Sequence, residues 1–271
     1  MSAPRAGAAA PRRRRFGQHF LHDPAVIERI VGSLTIRPGD HLVEIGPGRG
    51  ALTALLLEHS DCTVDAIEID RDLSARLTER FGAAPHFVLH VSDALEFDFS
   101  ALARERGGRL RIIGNLPYNI STPLLFALMA HSAAIQDLTV MLQREVVARL
   151  AAQPGGGDYG RLTVMLAPAI EVQRLFDVGP GAFQPPPRVW SAVVRLSMRS
   201  APLFAVSPHY GQVVASAFAH RRKTLRNALS QLLTRDEISA CGIDPGARPE
   251  TLAPQGFNTL AQALDRARGG R

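Results

Sequence analysis

Short apolar runs alternate with amphipathic stretches along the first two thirds of the chain. Apolar runs of about five residues are typical of strands that are buried on both faces of a parallel sheet. The predicted strands are residues 41–45, 64–68, 87–91, 110–114, 137–142 and 191–196. Because helical stretches separate most of these runs, the pattern predicts an α/β fold built from repeated β-α-β units.

Start signals mark several of the predicted helices. Asp23 followed by Pro24 places a capping carboxylate before a proline in the first turn, and the helix is predicted to run to about residue 31. Ser121 or Thr122 is expected to cap a later helix, with Pro123 in its first turn. Residues 51–58 and 143–152 are also predicted to be helical.

The pattern becomes helical after about residue 200. Four apolar residues fall on one face of a predicted helix: Phe218, Leu225, Leu229 and Leu232. A final short helix is predicted from the spacing of Leu252, Phe257, Leu260 and Leu264. We therefore expect an α/β domain at residues 16–200 and a small all-helical domain at residues 201–271.

Composition limits the class of protein. The chain has 271 residues, 46% of them hydrophobic and 21% charged, which is typical of a globular protein with one large and one small domain. No apolar run approaches the roughly 20 residues of a membrane span. Two cysteines, Cys62 and Cys241, are too few for a disulfide scaffold or a zinc site, so we expect a reduced, cytoplasmic setting and no bound metal.

The charge balance favours a polyanionic partner. The net charge is +6 and the isoelectric point is about 10.3. Residues 1–15 contain five arginines at positions 5 and 12–15 and no acid, and are predicted to form a disordered basic arm. The composition fits two alternatives: the arm contacts phosphates, or it is a solvated tail without a function.

Three of the predicted strands end in groups suited to binding a nucleoside. The first leads into Gly46-Pro47-Gly48-Arg49-Gly50, whose glycines allow a ligand to approach the backbone, although the spacing departs from the dinucleotide fingerprint. Glu68 follows Gly46 at about the 20-residue interval at which an acid binds a ribose hydroxyl. Asp93 follows the next strand and is placed to reach an adenine amino group. Each acid alone is also consistent with an ordinary turn.

The fourth strand ends in Asn115-Leu116-Pro117-Tyr118. The amide oxygen of Asn115 and the main-chain carbonyl of Leu116 are suited to accept the two N–H bonds of an exocyclic amine on a nucleobase. Tyr118 offers a ring on which the base can stack, worth roughly 1–3 kcal/mol. The alternative is an ordinary strand-to-helix turn in which the tyrosine only packs.

Two further segments remain open to two interpretations. Phe183 precedes a stiff run containing three prolines, which is either a spacer or a support that holds this ring over a pocket. A cluster of cations lies in the helical region: Arg221, Arg222, Lys223 and Arg226. It is either the solvated face of a packing helix or a phosphate-binding surface.

Taken together, these motifs resemble the KsgA/RsmA family of ribosomal RNA adenine dimethyltransferases. The matching segments are residues 16–21, 44–48, 68–70, 115–121, 159–162, 183–189 and 221–227. The resemblance implies a class I methyltransferase with a Rossmann-like, mostly parallel, doubly wound sheet, and S-adenosylmethionine as the methyl donor. It also implies a substrate: two adjacent adenines in the loop of the 3′-terminal hairpin of 16S rRNA, each dimethylated at N6 within the small ribosomal subunit.

The resemblance assigns roles by position. The residues implied to bind the cofactor are His19, Leu21, Gly46, Glu68, Asp93 and Asn115. Asn115 and Tyr118 would hold the target base, with Phe183 on its other face. Two residues depart from the family pattern: His19 stands where asparagine is frequent, and Trp190 stands where a small polar residue is more usual.

Several alternatives compete with this interpretation. An Erm-type enzyme, which dimethylates an adenine of 23S rRNA, shares the amide loop and the proline run, but the basic segment near residue 222 favours the small-subunit enzyme. A DNA adenine methyltransferase usually has proline where Leu116 stands. A non-catalytic RNA-binding assembly factor would not need the complete pocket. We expect a monomer that does not bind membranes.

Overall fold

The computed structural model describes residues 19–220 and 222–269. The strands are β1 (Phe20–Leu21), β2 (His41–Ile45), β3 (Thr63–Glu68), β4 (Phe87–Val91), β5 (Leu110–Asn115), β6 (Ile135–Gln143), β7 (Ile170–Val178), β8 (Phe183–Gln184) and β9 (Ser191–Met198). The α-helices are α1 (Pro24–Ser33), α2 (Ala51–Leu56), α3 (Arg71–Phe81), α4 (Phe99–Arg106), α5 (Ser121–Ala130), α6 (Arg144–Leu150), α7 (Arg161–Leu166), α8 (Tyr210–Phe218), α9 (Leu225–Ala228), α10 (Arg235–Ala240) and α11 (Pro254–Gly269). The predicted basic arm and Arg221 lie outside the described residues.

Seven strands form one sheet in the order β4-β3-β2-β5-β6-β9-β7. The first five are parallel to one another, and β9 runs antiparallel to both β6 and β7. The predicted α/β fold with a mostly parallel sheet is confirmed. The order of the strands reverses between β2 and β5, and ligands bind at such a switch point in open α/β sheets.

Helices cover both faces of this sheet because its central strands are apolar on both sides. Val43 of β2 and Ile112 of β5 pack in one buried cluster with α4, α5 and α6, while Leu42 and Ile113 pack in another with α1 and α2. Side chains along a strand point alternately to opposite faces, so the unbroken apolar runs match two buried faces. The site is therefore built at the edge of a rigid three-layer core.

The predicted helix starts are partly right. Asp23 caps α1 and accepts hydrogen bonds from the backbone N–H groups of Ala25 and Val26, at 3.0 and 3.3 Å. The predicted cap of α5 is wrong, since Ile120 occupies the cap position and no side chain caps this helix. Ser121 is the first helical residue, and its hydroxyl donates back to the Pro117 carbonyl at 3.0 Å, so it stabilises the preceding turn.

The C-terminal helices surround their own apolar cluster. Residues of α8, α9, α10 and α11 pack there together with Tyr159 and Val164, which precede β9 in the chain. The Tyr159 hydroxyl donates to the Leu252 carbonyl at 2.8 Å, and the Tyr210 hydroxyl donates to the Val164 carbonyl at 2.7 Å. The helical part is thus joined to the α/β part by residues that lie on the other side of the predicted boundary at residue 200.

The expected continuous helix through Phe218 and Leu232 is wrong. Helix α8 ends at Phe218 and helix α9 begins at Leu225, so Phe218 and Leu225 belong to different helices. The predicted last helix is present as α11, but it is not short: it has 16 residues and begins at Pro254, so Leu252 lies before it. No helix in the described part of the chain has the length and apolar character needed to cross a membrane.

Candidate active site

A cavity of about 370 Å³ lies at the carboxyl ends of β2, β3, β4 and β5, where the strand order reverses. The lining comes from the segment before α1, the glycine turn, the ends of β3 and β4, and the loop after β5. The lining residues are His19, Phe20, Leu21, Glu44, Ile45, Gly46, Pro47, Gly48, Arg49, Ala51, Leu52, Ile67, Glu68, Ile69, Ser92, Asp93, Ala94, Leu95, Asn115, Leu116, Pro117, Tyr118, Asn119 and Ile120.

The glycine turn leaves its backbone open to a ligand. Gly46 has a φ of +67°, which L side chains rarely adopt, and a Cβ atom there would meet no atom within 4 Å. Gly48 also has a positive φ, and a Cβ atom there would lie 3.1 Å from the ring of Phe20. The N-terminal segment therefore packs directly on the turn at Gly48, while Gly46 faces free space in the cavity.

Glu68 is buried at the end of β3 and braces the glycine turn. Its carboxylate accepts hydrogen bonds from the backbone N–H groups of Gly48 and Asp70, at 3.1 and 3.0 Å. Burial raises the pKa of Glu68, while these backbone bonds act in the opposite direction. Glu68 thus lies in the cavity wall, as the sequence predicted, and it also orders the turn.

Two apolar side chains line the cavity together with Asp93. Ile69 and Leu95, which are unusually exposed for large apolar residues at 45% and 36%, both line the cavity next to this acid. One oxygen of Asp93 accepts a hydrogen bond from the Leu95 backbone N–H at 2.9 Å. Two apolar side chains and a carboxylate suit a planar purine with an exocyclic amine. Ile69 and Leu95 were not among the predicted site residues, although an apolar residue shortly after a strand-ending acid is a usable signal.

Asn115 ends β5 with its amide oriented by the N-terminal segment. Its Nδ2 donates to the His19 carbonyl at 2.9 Å, and no described residue donates to its Oδ1. The imidazole Nδ1 of His19 lies 2.7 Å from the Pro185 carbonyl, so it carries the proton and donates. These bonds leave the amide oxygen of Asn115 available in the cavity as a hydrogen-bond acceptor.

The loop after β5 supplies a second acceptor and an aromatic ring. Leu116 is buried, and its N–H donates to the Met141 carbonyl at 3.2 Å, while no described residue donates to its own carbonyl. The hydroxyl of Tyr118 lies 2.6 Å from that of Ser191, and burial raises the pKa of Tyr118, so the phenol is neutral. The structure brings Asn115, Leu116 and Tyr118 together as predicted.

Phe183 does not line this cavity. It lies on β8, which pairs with β1 through Leu21, and it packs in the buried cluster below the N-terminal segment with 2% of its surface exposed. Leu21 is also buried but does reach the cavity wall. The short β1–β8 sheet therefore fixes the segment that carries His19, and stacking of Phe183 on the base stays a prediction.

Glu44 is a cavity residue to which the sequence assigned no role. It is buried at 2% exposure next to Glu68, and the hydroxyl of Thr53 donates to it at 2.6 Å. Burial, more than its neighbours, raises the pKa of Glu44 from its ordinary value of 4.5 to about 7. The carboxyl is therefore largely protonated in the folded protein below neutral pH.

Glu44→Gln is expected to change how stability depends on pH. Because the pKa of Glu44 is raised in the folded state, the native protein holds a proton that the unfolded chain has lost, and the free energy of unfolding falls as pH rises from 4.5 to 7. Glutamine carries no charge, so the variant should gain roughly 3 kcal/mol relative to the wild type between pH 4.5 and 8. Urea unfolding of the cofactor-free protein across this range measures the effect. Parallel profiles would contradict a neutral Glu44.

The predicted cationic cluster lies apart from the cavity. Arg222 and Lys223 are exposed in the connection between α8 and α9, and Arg226 is exposed on α9. None of the three forms an ion pair with a described residue. These side chains are free to contact an external anion.

Comparison with known proteins identifies the family. The family model described as ribosomal RNA adenine dimethylase matches residues 10–266. The chain belongs to this family. A relative from Pseudomonas aeruginosa, named ribosomal RNA small subunit methyltransferase A, is 51% identical over 266 residues, covering 96% of this chain and 97% of its own. A relative of the same name from Nitrosococcus oceani is 53% identical over 253 residues, covering 92% and 95%.

Solved structures agree with the fold. A dimethyladenosine transferase from Plasmodium falciparum superimposes with a TM-score of 0.78 at 23% identity, covering 92% of this chain and 98% of its own. The 23S rRNA methyltransferase ErmE superimposes with a TM-score of 0.67 at 28% identity, covering 91% and 99%. The Erm-type enzyme is thus a more distant relative than the small-subunit methyltransferases.

The comparisons confirm the predicted family and the class I methyltransferase fold. The family is one of rRNA adenine dimethylases, so the chain is an rRNA methyltransferase, and the methyl donor is S-adenosylmethionine. The cavity fits such a cofactor, because it joins an open glycine backbone, a buried carboxylate and the apolar side chains beside Asp93 along one edge of the sheet.

Proposed function

We propose that this enzyme dimethylates N6 of two adjacent adenosines in the loop of the 3′-terminal hairpin of 16S rRNA. The names of its relatives place their substrate in the small subunit. The observation that carries the proposal is the orientation of Asn115, whose amide oxygen is left unpaired in the cavity beside Tyr118. That arrangement suits the capture of an exocyclic amine.

One part of the cavity is assigned to the cofactor. Glu68 is placed to accept from ribose hydroxyls, Asp93 to accept from the adenine amine, and Gly46 to contact the cofactor through its backbone. His19 and Leu21 close this part from the N-terminal side. The cofactor supplies a methyl group on a sulfonium centre that is ready for in-line displacement.

The remaining part is assigned to the target base. The amine of adenine is a poor nucleophile because its lone pair is delocalised into the ring. Asn115 Oδ1 and the Leu116 carbonyl accept its two N–H bonds and hold the nitrogen in line, while Tyr118 stacks on the ring. No strong base is needed, since the amine proton becomes acidic only after transfer. Catalysis is then positioning and electrostatic preorganisation.

The helical domain at residues 201–271 is assigned to RNA binding. Arg222, Lys223 and Arg226 are exposed and unpaired among the described residues, as phosphate contacts require. Arg221 extends the same segment in sequence. A loop adenine is already partly unstacked, so its entry into the cavity costs less than extraction from a duplex. The proposed working form is a cytoplasmic monomer bound to the small ribosomal subunit.

The test is methyl transfer from labelled S-adenosylmethionine to purified small and large ribosomal subunits that lack these modifications. Digestion of the RNA and mass spectrometry would locate the label. We expect dimethyladenosine in the 3′-terminal hairpin of the small subunit. Label confined to the large subunit would replace the proposal with an Erm-type activity. Absence of label from both, with cofactor still bound, would favour a non-catalytic assembly factor.

A further inference from the structure

Trp190 is the one tryptophan of the chain, and it stands half exposed just before β9. It retains 49% of its surface, which is high for so large an apolar side chain. The six-membered part of the indole lies beside Gly179, where an added Cβ atom would be 3.6 Å from Cη2. The ring is therefore supported by backbone on one side and is open to solvent over much of its area.

The residue that follows Trp190 contacts the active site. The next residue, Ser191, is buried and forms the 2.6 Å hydrogen bond to the hydroxyl of Tyr118. β9 pairs with β6, and β6 pairs with β5, so Trp190 stands two strands away from β5, about 10 Å across the sheet. Asn115 is level with Val193 in this register, so Trp190 also lies three residues, about 10 Å, further along the strand direction. It lies at the same edge of the sheet as the cavity, since Ser191 is opposite Gln143, the last residue of β6.

One cation lies close to the exposed indole, and a second is near it in sequence. The guanidinium carbon of Arg144 lies 5.9 Å from the ring centroid, within the range of a cation–π contact. The backbone N–H of Arg144 donates to the backbone carbonyl of Trp190 at 2.9 Å. Arg188 is exposed two residues earlier. Neither arginine forms an ion pair with a described residue. An exposed aromatic ring with nearby arginines that have no acidic partner is the composition of surfaces that bind single-stranded nucleic acid.

We propose that Trp190 is a positioning residue on which an unpaired nucleobase beside the target adenine stacks, with Arg144 and Arg188 contacting the adjoining phosphates. The inference rests on the proposed function for its substrate and adds a second base-binding position outside the cavity. Stacking there holds the RNA strand at the rim, so that the target base enters between Asn115 and Tyr118 in a fixed register. Every base has a π face, so this contact supplies affinity and register without selecting a base.

Because the chain has no other tryptophan, the tryptophan fluorescence of the protein comes from Trp190 and reports this contact directly. The probe is a single-stranded oligoadenylate with a fluorescein label, titrated at low salt in the absence of cofactor. We expect tryptophan emission to fall and to saturate at the same RNA concentration as the fluorescein anisotropy. A blunt RNA duplex of equal length should bind through its phosphates without quenching. Emission that stays constant throughout the oligoadenylate titration overturns the proposal.

Kinetics on small subunits provide the second readout. Trp190→Ala is expected to raise KM for the subunit about 10- to 100-fold, with kcat little changed at saturation, and Trp190→Phe should restore most of the loss. Leu203→Ala is the matched control, because Leu203 is equally exposed at 54% and follows the opposite end of β9. Equal kcat/KM for Trp190→Ala and wild type overturns the proposal.

The outcomes separate this proposal from the proposed function. Wild-type enzyme that quenches with RNA but methylates neither subunit would contradict the assigned activity and leave the stacking contact intact. Wild-type enzyme that methylates the small subunit, with a Trp190→Ala variant of unchanged kinetics and altered sedimentation mass, would assign this face to a second copy of the chain and would refute the RNA contact alone.

Discussion

Asn115→Ala is expected to lower kcat for adenine methylation about 10²- to 10³-fold, the usual effect of removing one preorganised polar group that acts in the transition state. The Nδ2–His19 hydrogen bond orients the side chain and leaves Oδ1 without a described donor, and the proposed function has this oxygen accept from the substrate amine. Without that oxygen, the amine keeps its place by stacking on Tyr118 but loses the acceptor that aligns its lone pair. Single-turnover methyl transfer to small subunits measures the chemical step.

Cofactor binding serves as the control for this variant. Calorimetric titration with S-adenosylhomocysteine should give a dissociation constant close to that of the wild type, because other strand ends hold most of the cofactor. Thermal unfolding should show that the fold is kept. Near-normal turnover by Asn115→Ala would contradict the central role assigned to this residue. Loss of cofactor binding would instead show that Asn115 acts mainly on the cofactor and not on the target adenine.

Glu68→Ala is expected to weaken cofactor binding about 10- to 100-fold. A hydrogen bond to a charged group is worth roughly 1.5–3 kcal/mol, which corresponds to about 10- to 100-fold in affinity for the loss of one such bond between the carboxylate and a ribose hydroxyl. The substitution also removes the acceptor for the backbone N–H of Gly48, which loosens the glycine turn. Both effects act on cofactor affinity, so kcat at saturating cofactor should fall much less.

The comparison variant is Glu96→Ala. Glu96 is exposed near the carboxyl end of β4 and does not line the cavity, so its removal changes net charge equally at the same edge of the sheet. Calorimetric titration of the wild type and both variants with cofactor distinguishes a direct contact between Glu68 and the cofactor from a general effect of negative charge on cofactor affinity. A dissociation constant that is unchanged in Glu68→Ala, or changed equally in both variants, would contradict the proposal that Glu68 binds the ribose hydroxyls of the cofactor.

The strand ends could be predicted from the sequence because a strand buried on both faces is apolar until it leaves the core. The bounds of β2 and β4 agree with the prediction at both ends. Gly46, Glu68, Asp93 and Asn115 stand at or just beyond four such ends, and the sheet brings all four to one cavity. Repeated β-α-β units form a parallel sheet whose strands all end at the same edge, so the residues at the strand ends could be placed together from local sequence patterns alone.

Contacts between distant segments could not be predicted in the same way. No local pattern shows that β1 pairs with β8, or that the Asn115 amide meets the His19 carbonyl. The β1–β8 pairing places Phe183 in the core, whereas the resemblance implied a place against the target base and the proline run fitted either a spacer or a support for this ring. Similarly, the spacing of Phe218 and Leu225 fits one helix or two, and only tertiary packing decides between them.

The hydrogen bonds that shape the site also determine when it can exist. Asn115 and His19 are 96 residues apart, and His19 and Pro185 are 166 residues apart. Contacts between such distant positions must first overcome the entropy of closing a long loop, so they form late. On a translating ribosome, a nascent chain that has not yet reached Pro185 has neither the β1–β8 pairing nor the His19–Pro185 bond. The site can therefore be completed only after the chain has been synthesised and folded at least as far as Pro185.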